Sequence, residues 1–84
     1  MPEISRFYGI VIRMYVKQKE HNPPHIHAYY GEYKIEIEIK TLKIIKGKLP
    51  KKALHLVLEW LKLHQEELLI IWNNQEFKKI EPLE

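Results

Sequence analysis

The chain has 84 residues and a formal net charge of +3, with 45% apolar and 30% charged residues. Surface scaling for a folded chain of this size implies that about 64% of the unfolded surface is buried, enough for one core and not two. There is no cysteine and no aspartate, and Ser5 and Thr41 are the single serine and threonine, which excludes disulfide frameworks, thiolate zinc sites, cysteine nucleophiles and a serine–histidine–aspartate triad.

The longest apolar run, Leu68 to Trp72, is too short to span a bilayer. The N-terminus lacks the charged-then-apolar pattern of a secretory signal. A single domain over residues 1–84, in the cytoplasm and with no membrane association, is therefore expected.

Residues 7–17 alternate, with Ile10, Ile12, Met14 and Val16 on one side and Val11, Arg13 and Tyr15 on the other, which predicts a first strand after a short N-terminal lead. Lys17 to Pro24 breaks the pattern, because Asn22, Pro23 and Pro24 cannot continue a ladder. Residues 25–30 and 33–40 then flank Gly31 and Glu32, a two-residue connection with glycine first, as a type II′ hairpin requires. That turn pairs Tyr30 with Tyr33, Ala28 with Ile35 and Ile26 with Ile37. The alternate face pairs Tyr29 with Lys34, His27 with Glu36 and His25 with Glu38. Every isoleucine and alanine falls on one face and the histidines and glutamates on the other.

A fourth strand is expected over residues 43–47. Pro50 suits a helix start, and a single long helix is expected over residues 50–74, which contain no glycine and no proline after Pro50. Its core stripe would be Leu54, Val57, Leu58, Leu61, Leu68 and Trp72. Leu56, Trp60, Leu63 and Ile70 lie largely opposite, so the apolar arc spans roughly 200°, about twice what a surface helix buries. Either the helix breaks near His64 and Gln65 so that its halves pack differently, or those four residues meet a second chain. The expected fold is α+β, a three- or four-stranded antiparallel meander packed against one long C-terminal helix.

Charge is uneven. Lys40, Lys43, Lys46, Lys48, Lys51 and Lys52 occur with no acid among them, whereas residues 53–84 hold six glutamates against Lys62, Lys78 and Lys79. The basic stretch suits phosphates or an acidic partner, although the commonest reason for lysines around strand ends and turns is a solvated edge that resists aggregation.

Three chemistries fit the hairpin's polar face. His25, His27 and Glu36 could act as acid and base in metal-independent RNA cleavage, where the ribose hydroxyl is the nucleophile and no protein nucleophile is needed. His25, His27, Glu36 and Glu38 could together hold a divalent ion, although His25 and His27 must lean together to share it. The plain structural alternative is cross-strand histidine–glutamate pairing. Ligand contacts are expected from His21, Asn22, Arg13, Tyr29, Lys34 and Glu38, with Lys43, Lys46, Lys48, Lys51 and Lys52 beside them. Tyr30 and Tyr33 belong to the core face, which leaves Tyr29 to stack on a base. His55 reads as solvated and His64 as a boundary residue.

Four segments together resemble the short bacterial proteins of domain of unknown function 4160: Arg6 to Tyr15 (RFYGIVIRMY), His21 to Ala28 (HNPPHIHA), Gly47 to Leu54 (GKLPKKAL) and Val57 to Leu69 (VLEWLKLHQEELL). The resemblance places emphasis on His21, Asn22, Pro23, Pro24, His25 and His27, and on Gly47, Leu49 and Pro50. It implies no established activity, and no cofactor is expected. It does imply a component of a two-gene toxin–antitoxin-like operon, partnered by a small protein encoded beside it or by a second copy of itself. Ile71 stands where a polar residue is expected in relatives. The leading expectation is a small interaction module binding a partner protein and nucleic acid, RNA or DNA, ahead of the ribonuclease and the metal-binding module.

Overall fold

The computed structural model describes residues 3–15 and 23–83. Its first two strands, β1 (Glu3–Phe7) and β2 (Ile10–Arg13), are joined by Tyr8 and Gly9, whose φ angles are 49° and 80°. Positive φ at both central positions is the type I′ geometry, whose twist matches an antiparallel pair. The expected first strand over residues 7–17 is thereby corrected: the N-terminal lead is itself a strand, and the chain reverses at Tyr8–Gly9. Val16 and Lys17 lie outside the described residues.

β3 (His25–Tyr30) and β4 (Tyr33–Glu38) pair in the register read from the turn, from His25 with Glu38 to Tyr30 with Tyr33. Gly31 has φ 58° and Glu32 does not share its sign, as a type II′ turn demands. β5 (Ile44–Lys48) completes an antiparallel meander in the order β1-β2-β3-β4-β5, so the sheet has five strands rather than three or four. Its pairing with β4 slips by one residue between Glu36 and Ile37.

The expected single helix is two. α1 (Lys51–Leu63) and α2 (Gln65–Asn74) are separated at His64, whose φ and ψ of −121° and 19° leave the helical region. The Gln65 side chain donates to the carbonyls of Ile39 and Lys40 at 2.8 and 3.2 Å, which ties the start of α2 to the turn after β4. With that change of direction, Val57, Leu61, Leu68 and Trp72 are buried as expected, Leu54 and Leu58 are half-buried, and Ala53, Trp60 and Ile71 join the core.

That core lies between the helices and one face of the sheet, on Ile10, Ile12, Ile26, Ala28, Ile35 and Ile37. Trp60, expected at an interface with a second chain, is fully buried. Its indole nitrogen donates to the Glu81 carbonyl at 2.8 Å, and its ring lies 5.7 Å from that of Phe7. The cover comes from the chain's own last segment, which returns past β1 with the Ile80 N–H donating to the Ile4 carbonyl at 2.8 Å. Phe77, Ile80 and Leu83 pack on the core there. Leu56 is half-buried, and only Leu63 and Ile70 of the expected interface set stay exposed, at 66% and 59%. The part of the broad apolar arc around Trp60 is therefore covered within one chain.

Candidate functional site

On the face of the sheet opposite the core, strand register arranges the side chains in transverse rows. Arg13, His27, Glu36 and Lys46 are successive partners across four strands. Val11, Tyr29, Lys34 and Lys48 form the next row, and His25 and Glu38 pair beyond the first. Adjacent rows on one face are two residues apart along each strand, so long side chains reach between them.

His25 is oriented by the segment that precedes it. Its Nδ1 lies 2.8 Å from the Pro23 carbonyl, which can only accept, so in the neutral ring Nδ1 carries the proton and Nε2 presents a lone pair. The stiff Pro23–Pro24 pair supplies that carbonyl at a fixed place. Nε2 lies 3.8 Å from the Glu36 carboxylate, a diagonal neighbour, although Glu38 is its direct cross-strand partner. Trp72, at the end of α2, stands 5.3 Å from the His25 ring.

His27 is enclosed by rings. Tyr15 lies 4.2 Å away, His25 5.1 Å and Tyr29 6.5 Å, measured between centroids. Burial pushes its pKa below the ordinary histidine value, against the opposing pull of the Glu36 carboxylate. Its Nδ1 is buried and has no hydrogen-bond partner among the described residues. The Tyr15 and Tyr29 hydroxyls are hydrogen-bonded to each other. Burial, and then this bond, pushes the Tyr29 phenol up to about 12, so it is neutral at physiological pH. The Arg13 guanidinium lies 5.9 Å from the centre of the Tyr29 ring.

His25, His27 and Glu36 each contribute one potential ligand atom, and the three atoms lie within 4.8 Å of one another. Glu38 is not part of this cluster, so the four-residue set expected for a metal reduces to three. Arg13, Tyr29, Lys34, Lys46 and Lys48 share the face, and Tyr15 joins them. The alternation of β2 had already placed Tyr15 beside Arg13, but no chemistry had drawn attention to it.

The expected basic segment does not form one patch. Lys43 sits in the connection before β5, where its backbone N–H meets the Thr41 hydroxyl and its carbonyl accepts from Glu38. Lys51 and Lys52 begin α1, and Lys52 lines an apolar concavity of about 500 Å³ with Tyr8, Ile10, Tyr30 and Leu56, remote in register from His25. Tyr30 and Tyr33 have the expected alternation but sit at the hairpin tip, where each is 38% exposed. His55 is exposed, and His64 bonds Glu67 at 2.7 Å. His21 and Asn22 lie outside the described residues.

A family model described as a domain of unknown function (DUF4160) matches residues 9–73, most of the chain. The chain belongs to the DUF4160 family. The match includes β2 to β5, the His25–His27–Glu36 cluster and nearly all of α2, while β1 and the C-terminal segment that covers Trp60 fall outside it. Ile71, where a polar residue was expected in relatives, is buried in the core. No curated protein and no solved structure matches the chain. No described helix is long and apolar enough to cross a membrane.

Proposed function

We propose that this DUF4160 chain is a small cytoplasmic interaction module of a toxin–antitoxin-like pair, and that the sheet face opposite the core binds the phosphate backbone of a nucleic acid. The observation that carries this reading is the direct opposition of Lys34 and Lys48 across β4 and β5. Like charges at directly opposed positions weaken a strand pair by ~0.2 to 1 kcal/mol, and a phosphate held between them reverses that sign. Tyr29, neutral and in the same row, offers a ring for a base beside the charge, and Arg13 and Lys46 extend the positive potential into the next row. Leu63 and Ile70 are the exposed positions at which a small protein encoded beside this one would dock.

The test is binding of fluorescent RNA and DNA oligonucleotides over a salt series. Affinity should fall steeply with salt, and Lys34→Ala and Lys48→Ala should each reduce the slope of log affinity against log salt by about one. Salt-independent binding, or slopes unchanged in both variants, would sink the reading. Cleavage is the second reading, favoured by the depressed pKa of His27, which leaves a neutral base beside His25. RNA shortened in the presence of chelator by the native chain, and left intact by His27→Ala, is the result that would select it.

A further inference from the structure

We infer that His25, His27 and Glu36 form a binding site for one zinc-class divalent ion. Two imidazoles and one carboxylate are a borderline-soft donor set that suits zinc, with a fourth position left for water or an anion. Metal–ligand bonds of about 2.0 to 2.2 Å place tetrahedral donors roughly 3.5 Å apart. The three donors already lie within 4.8 Å of one another, so closing on an ion needs side-chain shifts of about 1 Å.

The surroundings favour a metal over a simple ion pair. The Nε2 of His25 stops 3.8 Å from Glu36, beyond hydrogen-bond reach, so the two face each other without bonding. The far nitrogen of the same ring is held by the Pro23 carbonyl at 2.8 Å, the arrangement by which a carbonyl fixes the tautomer and direction of a metal-ligating histidine. His27, beside them, carries a buried Nδ1 with no hydrogen-bond partner among the described residues, an unmet polar group at the site. The hydrogen-bonded Tyr15–Tyr29 pair and the Trp72 ring limit how far the two imidazoles can turn away.

The inference stands independently of the nucleic-acid reading, since it concerns other side chains and is measured without nucleic acid. The full chain, expressed without a polyhistidine tag, would be stripped with chelator, dialysed, loaded with zinc and freed of excess. Elemental analysis should then find one zinc per chain, and competition with a chromophoric chelator should give its affinity. His25→Ala, His27→Ala and Glu36→Ala should each lower that affinity at least about 100-fold, more than loss of an outer partner does. His55→Ala, on the exposed side of α1, should leave it unchanged. Cobalt(II) loaded into the native chain should show the visible bands of four-coordinate nitrogen and oxygen ligation, a readout that holds even if a histidine variant fails to fold. Less than one retained zinc, an affinity untouched by the three substitutions, or a six-coordinate aqueous cobalt spectrum would each overturn the inference.

Discussion

Tyr29 shows how the sheet face opposite the core shapes the chemistry of a single residue. Its phenol is pushed up to about 12, chiefly by burial and secondly by the hydroxyl of Tyr15. An unfolded tyrosine titrates near 10, so between about pH 10 and 12 the unfolded chain has lost a proton that the folded chain keeps. Stability contributed by the protonated phenol is therefore intact below about pH 10 and is lost as pH rises through the folded value. Denaturant unfolding across that window, compared with Tyr29→Phe, should show the native chain losing stability more steeply than the variant. A constant difference between the two at every pH would mean that Tyr29 is not held neutral by its site. Tyr15→Phe should lower the Tyr29 titration seen by tyrosinate absorbance, because one of the two leading causes is removed. The pairing of His27 with Glu36 followed from alternation and one turn, but the enclosure of His27 by Tyr15 did not. That contact depends on the chain continuing past β2 beside the β3 ring, which strand periodicity does not describe.

At the scale of elements, one glycine turn and one proline explain what could be read in advance. Gly31 with Glu32 fixed a hairpin whose register held at every pair, since a slip of one residue would have moved all the isoleucines to solvent. The Tyr8–Gly9 turn was hidden because tyrosine rarely adopts positive φ and the alternation runs through it without a polar interruption. Gly47 illustrates a third use of the residue. Its φ is 84°, and a Cβ there would lie 2.2 Å from the Lys34 carbonyl oxygen, so the β4–β5 ladder closes only around a bare backbone. Gly47→Ala should cost at least about 3 kcal/mol, the left-handed penalty plus displacement of the strand. Gly31→Ala, at φ 58° with nothing within 4 Å of the new carbon, should cost only about 1 kcal/mol. Urea midpoints at unchanged m would measure both, and equal losses would refute the close-approach argument. The same edge strand carries Lys46 and Lys48, which also discourage pairing with another sheet.

For the whole molecule, the decisive feature is the segment that has no periodicity to announce it. Residues 76–83 form neither helix nor strand, and the sequence alone offered either a helix break near His64 or a second chain to cover the broad apolar arc. The structure instead lays Phe77, Ile80 and Leu83 over that side and anchors them at adjacent residues, through the Ile80 N–H to Ile4 and through Trp60 to the Glu81 carbonyl. Burial of one isoleucine contributes ~1.5 to 3 kcal/mol, and each of the two hydrogen bonds adds about 1 kcal/mol. Removing residues 76–84 should thus destabilise the fold by about 3 to 5 kcal/mol, a large part of the 5 to 15 kcal/mol typical of a domain. It should also expose Trp60 and enlarge the apolar face around the exposed Leu63 and Ile70, which favours self-association. Circular dichroism melts, tryptophan emission and light scattering would read the three effects: a lower melting temperature, emission shifted to the red and a mass above that of one chain. Leu63→Glu, which alters a side chain already 66% exposed, should leave the melting temperature close to native. A truncated chain that melts with the full one and keeps its emission would show that the helices and sheet hold Trp60 without the segment, and that the apolar arc still awaits its cover.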